Sequence, residues 1–251
     1  MKVIVSQLAV DYQDAGSGPV MLMLHGWKDS ANTFQQLVPQ LASTWRVVCV
    51  DLPGFGGTEA PASDWHLADY VAFVRSFCDK LEIEPEILVG HSLGGRIVLK
   101  AVSEGVFKPE RIILIASAGI AKSDSARNRA YNVVAKTGKV VTKVPPLSFW
   151  RNRLRRKLYQ RAGSDYLDAG PLAQTFLNII AEDLQPNARN IMTPTLLIWG
   201  DKDTETPAAD GLTLNRLIKG SRLEFIAGAG HFVHHEQPGA VARLMTEFGS
   251  K

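Results

Sequence analysis

The chain has 251 residues, 45% hydrophobic, 21% charged and 8% aromatic, with a formal net charge of +3 at pH 7. That balance belongs to a globular protein and excludes a disordered or fibrous one. No run approaches the ~20 apolar residues of a bilayer-spanning helix, and so mild a charge gives no footing for nucleic acid as a partner. Cys49 and Cys78 lie in apolar surroundings without CxxC or metal-ligand spacing, so they read as packing thiols of a reducing compartment. The N-terminal apolar run is broken by Gln7, Asp11 and Asp14 and lacks the h-region of a signal peptide. A cytoplasmic location is therefore expected.

In chain order, residues 3–10 followed by the turn-rich QDAGSGP predict an antiparallel hairpin at a sheet edge. Short apolar runs at 20–24, 46–50, 87–90, 111–115, 195–199 and 223–226 then alternate with helical patterns at 33–42, 64–81, 92–104, 207–218 and 238–248. Several runs are apolar on consecutive residues, as strands covered on both faces are. The helix at 64–81 sets Leu67, Tyr70, Val71, Val74 and Phe77 on one face. This rhythm predicts an α/β fold with a mainly parallel, doubly wound sheet and right-handed crossovers.

Between Gly119 and about Asn190 no bounded strand-like run occurs and helical patterns dominate. The predicted division is a core over 1–119, an inserted helical cap over 120–190, and the rest of the core over 191–251. Within the cap, Leu172, Phe176, Ile179 and Ile180 fall at i, i+4, i+7 and i+8 after Pro171, a helix with Pro at its start. Trp150, Leu154 and Leu158 form a second stripe. Residues 127–161 carry eleven Lys or Arg and no acid, so the net +3 is +11 here and −8 elsewhere. Three readings follow: a solvated lid face, steering of anionic substrates, or weak contact with anionic surfaces through the amphipathic stripe. Ordinary packing of the stripe on the core is its simplest account.

The strongest chemical signal is Gly90-His91-Ser92-Leu93-Gly94-Gly95, directly after a strand pattern and before a helical one. In that context G-x-S-x-G is a tight turn that strains the serine backbone and holds its hydroxyl at a helix N-terminus, where developing negative charge is favoured. Ser92 is the candidate nucleophile. A serine near neutral pH needs a base, and the base an orienting acid. Of six histidines, His231 lies on a loop past a strand end, from which it can reach the turn. His25 begins a loop, His66 begins a helix, and His91 points away from its neighbour at a sharp turn. His234 and His235 read as packing or capping residues. The H-x-x-H-H spacing matches no known zinc site, so neither a metal nor a cofactor is expected. After the strand at 195–199, WGDKDTETP offers Asp201, Asp203 and Glu205. Asp201 reads as a turn residue, Asp203 sits farther over the strand ends, and Glu205 leads into the helix at Pro207.

Taken together, His25-Gly26-Trp27, Asp51-Leu52-Pro53-Gly54-Phe55-Gly56, GHSLGG, WGDKDTETP and GAGHFVHHEQP resemble the α/β-hydrolase superfamily, in its cap-bearing serine esterase branch, over residues 10–248 with only the cap unmatched. The resemblance implies Ser92 as nucleophile, Asp203 as acid and His231 as base. It also implies an oxyanion hole from the backbone N–H groups of Trp27 and Leu93, and Asp51 as a structural strand-end acid. Trp27 and His91 are placed in the substrate pocket. Serine at the turn excludes the dehalogenase and epoxide hydrolase branches, which carry aspartate there. The expected activity is cofactor-free hydrolysis of small to medium carboxylic esters or lactones, by a monomer or homodimer. The alternatives are a C–C bond hydrolase of ring-cleavage products, whose relatives usually carry Asn where His91 stands, and a ligand receptor with little turnover.

Overall fold

The computed structural model describes residues 1–120 and 170–250. The basic run at 127–161 and the Trp150, Leu154 and Leu158 stripe lie outside these residues. Eight strands form one sheet: β1 (Lys2–Val5), β2 (Leu8–Ala15), β3 (Val20–Leu24), β4 (Arg46–Val50), β5 (Ile87–His91), β6 (Arg111–Ile115), β7 (Thr195–Gly200) and β8 (Arg222–Ile226). Their order is β1-β2-β4-β3-β5-β6-β7-β8. All pairings from β4 to β8 are parallel. The central strands are buried along their length, because helices cover both faces. One core contains Leu22, Val48, Leu88, Leu114 and Leu197. The alternating residues Met21, Val47, Val89, Ile113 and Ile198 point into the other.

The expected N-terminal hairpin is present, but its turn is Ser6-Gln7, both at positive φ (48° and 67°), the geometry of a tight two-residue hairpin turn. The QDA of the expected turn continues as strand. The first half of β2 pairs with β1 and the second half pairs antiparallel with β4, through Tyr12↔Val50 to Ala15↔Val47. Asp14 is tolerated there because its carboxylate meets the Arg46 guanidinium at 2.6 Å. The helix expected at 33–42 is split into a 3-10 turn, Ala31–Phe34, and α1, Val38–Leu41. Pro39 explains the break, since it lacks the N–H that would continue the helical ladder back to Gln35.

The remaining helices are α2 (Leu67–Leu81), α3 (Leu93–Ser103), α4 (Ala173–Ile180), α5 (Gln185–Arg189), α6 (Ala208–Leu217), α7 (Val233–Glu236) and α8 (Pro238–Gly249). Helix α4 follows a 3-10 turn over Gly170–Leu172, so Pro171 stands in that turn and not at the first α-helical position. Buried Arg96 of α3 ties this segment to the core. Its guanidinium donates to the carbonyl oxygens of Ile179 and Glu182, and Lys100 of α3 meets the Glu182 carboxylate at 2.8 Å. Burial lowers the Arg96 guanidinium to about 10 against the opposing pull of Glu182 and Asp183. Both cysteines are buried and free, and burial pushes the Cys78 thiol up to about 12, which leaves it an inert packing group at neutral pH.

Candidate active site

Ser92 joins β5 to α3 with φ 50° and ψ −107°, a region that non-glycine residues occupy only when surrounding structure enforces it. That structure is close packing at the glycines. A Cβ on Gly90 would lie 2.4 Å from the Gly94 backbone, and one on Gly94 would lie 2.0 Å from the Leu24 carbonyl oxygen. Backbone bonds fix the turn further: Ser92 N–H donates to Ile115 O at 3.1 Å, and Gly94 N–H donates to His25 O at 3.0 Å. Leu93 opens α3, so its N–H has no acceptor within the helix.

Two loops bring the candidate acid and base together. Asp203, after β7, and His231, after β8, meet with His231 Nδ1 2.9 Å from Asp203 Oδ2, and both are buried. The carboxylate is held from its other side as well. Oδ1 accepts the N–H groups of Glu205 and Thr206 at 2.8 and 2.9 Å, and the Thr206 hydroxyl donates to Oδ2 at 2.7 Å. Burial pushes the Asp203 carboxyl up, but the hydrogen bond and charge of His231, with the bonds from Thr206, outweigh it and hold the group below its usual value. It stays an anion that orients the Nδ1–H tautomer of His231. Gly200 is also sterically required, because a Cβ there would stand 2.2 Å from Ala229 O in the His231 loop. Glu236 pins that loop by accepting Gly230 N–H at 2.9 Å. Asp201 takes no part: its carboxylate accepts Gly228 N–H at 2.7 Å, the turn role expected of it.

The other histidines separate by what they touch. His25 donates from Nδ1 to Gly26 O at 2.7 Å and accepts Leu52 N–H at Nε2 at 2.9 Å, which fastens the loop after β3 to the end of β4. Asp51 continues the same brace, accepting Ala31 and Gly57 N–H at 2.6 and 2.7 Å. His91 donates from Nε2 to the His231 carbonyl at 3.2 Å and so positions the backbone of the candidate base. His234 and His235 both place Nε2 2.8 Å from Thr33 Oγ1, and His66 caps α2.

Ser92, His231, His91, Trp27 and Phe232 line one cavity of about 260 Å³. A second, of about 400 Å³, adjoins it through Trp27 and is bordered by Phe55 and Leu172. The Trp27 ring packs on Phe55 and Phe176, at centroid separations of 4.8 and 4.9 Å, so α4 supports this wall residue from behind. Two contacts were not legible in the sequence. Glu205 also lines the smaller cavity, with Oε2 3.6 Å from His231 Nε2, and Thr206 braces Asp203. The D-x-x-T spacing of Asp203 and Thr206 was the available signal for the second, as a local side-chain turn.

The buried histidines make a measurable pH prediction. Burial, reinforced by neighbouring imidazoles, lowers His234 to about 3 and His91 well below its usual value; burial also lowers His25. Unfolding returns each to a pKa near 6.5, so below that pH the unfolded state binds more protons than the folded one. Stability from these groups is complete above about pH 6.5 and declines as pH falls toward the folded values. The expected slope is about 1.4 kcal/mol per pH unit for each fully excluded proton. Urea midpoints measured from pH 7 to pH 4.5 should drop accordingly; a flat profile would contradict the neutral buried imidazoles.

A model of the alpha/beta hydrolase family matches residues 21–244. The chain belongs to that family. It is 26% identical over 255 residues to monoacylglycerol lipase abhd6-B of Xenopus laevis, an alignment covering 93% of this chain and 76% of the relative. Among solved structures, the esterase EaEST from Exiguobacterium antarcticum superimposes with a TM-score of 0.77 at 21% identity, covering 100% of this chain and 99% of the other. The enol-lactonase from Burkholderia xenovorans LB400 does so at 0.76 and 22%, covering 100% of both chains. The fold is thus that of the α/β hydrolases, and the chain is a hydrolase of that family. Among the described residues no helix is long and apolar enough to cross a membrane.

Proposed function

We propose that this hydrolase cleaves carboxylic esters or lactones of small to medium acyl groups through an acyl-enzyme on Ser92. The observation that carries the reading is the buried Asp203–His231 pair, whose imidazole lines the same cavity as a serine on a strained turn. In this mechanism His231 Nε2 takes the Ser92 proton as Oγ attacks the acyl carbon. The tetrahedral oxyanion is held by the N–H groups of Leu93 and Trp27, donors that in comparable sites contribute about 10²–10³ each to turnover. His231 then returns the proton to the leaving alcohol, and water, activated by the same imidazole, releases the acid. Asp203 stays ionised throughout.

The preference for small to medium acyl groups is supported by the size of the Ser92 cavity and by the aromatic wall of Trp27 and Phe232. The test is a p-nitrophenyl ester series from acetyl to palmitoyl, with a lactone panel beside it. A maximum at short or medium chains is expected. Turnover that rises steadily to palmitoyl would overturn the size assignment, and none on any ester or lactone would shift the reading to C–C hydrolysis or ligand sensing.

A further inference from the structure

We propose that Asp29, His91 and His234 form a binding site for a divalent transition-metal ion of the zinc or cobalt class, beside the nucleophile. One ligand atom from each of the three lies within 4.8 Å of the other two. Among the described residues, three polar atoms of these same side chains, Asp29 Oδ2, His91 Nδ1 and His234 Nδ1, are buried without a hydrogen-bond partner. Groups in that condition cost free energy unless something satisfies them. The remaining polar atom of each side chain is already engaged. Asp29 Oδ1 accepts Ser30 N–H at 2.8 Å, His91 Nε2 donates to His231 O, and His234 Nε2 meets Thr33 Oγ1.

The proton arrangement favours a cation. His91 donates from Nε2, so its Nδ1 carries a lone pair. When His234 donates from Nε2 to Thr33, its Nδ1 does too, and with Asp29 Oδ2 these are three acceptor atoms with no hydrogen-bond partner among the described residues. A water molecule brings two O–H groups to three acceptors, whereas one cation takes all three. Two neutral imidazoles and a carboxylate are a donor set suited to zinc-class ions. Metal–ligand distances of ~2.0–2.2 Å require the three atoms to close inward by less than about 1 Å each, a movement shared among the Asp29, His91 and His234 side chains.

The local H-x-x-H-H spacing gave no sign of this site, because its ligands come from three separated segments: the loop after β3, the end of β5, and α7. Asp29 and His91 also line the Ser92 cavity, so a bound ion adds positive charge to the wall of that cavity. The proposal is independent of which ester or lactone the enzyme uses.

The test uses the full chain after chelator treatment, titrated with Zn²⁺ by calorimetry and with Co²⁺ by visible absorption. One ion per chain is expected, bound more tightly than about 10 µM, with the absorption of a low-coordinate cobalt site and a rise in melting temperature as the native state is selected. Asp29→Asn, which keeps the side-chain shape, and His234→Gln should each weaken binding at least ~10–100-fold. His235→Gln should leave it unchanged. The proposal is overturned if chelator-treated wild type binds neither ion at one equivalent, which would assign the pocket to a buried water. It is also overturned if binding survives Asp29→Asn. Should His234→Gln fail to fold, the wild-type titration and Asp29→Asn decide the question.

Discussion

Replacing Ser92 by alanine is expected to lower ester turnover by on the order of 10⁶ while leaving the melting temperature close to wild type or slightly above it. On the proposed mechanism, the loss of activity follows from removing the atom that would form the acyl bond. The unchanged or improved stability follows from the backbone: φ 50° and ψ −107° are imposed by the packing of Gly90 and Gly94, and the serine hydroxyl contributes nothing to that packing. A fold this close at the turn retains its shape without the nucleophile. Circular dichroism melts run beside ester assays on both proteins separate the two effects. Turnover within tenfold of wild type in the alanine variant would contradict the account.

The second large effect is expected for Asp203→Asn, a loss of about 10⁴ in turnover with folding intact. Its cause lies in the hydrogen bonds around the carboxylate. Oδ1 accepts two backbone N–H groups, from Glu205 and Thr206, so the oxygen of an asparagine is held at that position. The amide nitrogen then faces His231 Nδ1, where Oδ2 stood at 2.9 Å. An N–H donor there demands a lone pair on Nδ1 and drives the imidazole proton to Nε2, the tautomer that cannot accept the Ser92 proton. Asp201→Asn should be nearly silent, because its carboxylate accepts only a loop N–H from Gly228. If Asp201→Asn were the damaging change and Asp203→Asn the silent one, the acid would be misassigned.

How much of this was legible beforehand depends on the range of the interaction concerned. The six parallel strands β3–β8 are short, mostly apolar runs ended by turn residues, a signal contained within five or six positions, and all six lie within a residue of their expected bounds. The turn at Ser92 was legible for the same reason, since strand, glycines, serine and helix are adjacent in the chain. The split at Pro39 was also a local signal, masked by helical periodicity on either side of it. The hairpin turn at Ser6-Gln7 was hidden because neither residue is glycine or asparagine, the usual marks of positive φ. Contacts between loops could not be read. Glu205 reaches His231 only because the loops after β7 and β8 leave adjacent parallel strands at the same sheet edge. The convergence of Asp29, His91 and His234 likewise depends on how three distant segments pack.

The central claim is that Ser92 is the acyl-accepting nucleophile of this hydrolase, and covalent labelling tests it most directly. The protein would be treated with a fluorophosphonate, residual turnover of p-nitrophenyl acetate followed, and the modified peptide identified by mass spectrometry. The account predicts one label per chain, on Ser92, with activity lost in proportion to labelling. A label on another residue, or full turnover in a completely labelled protein, would contradict it.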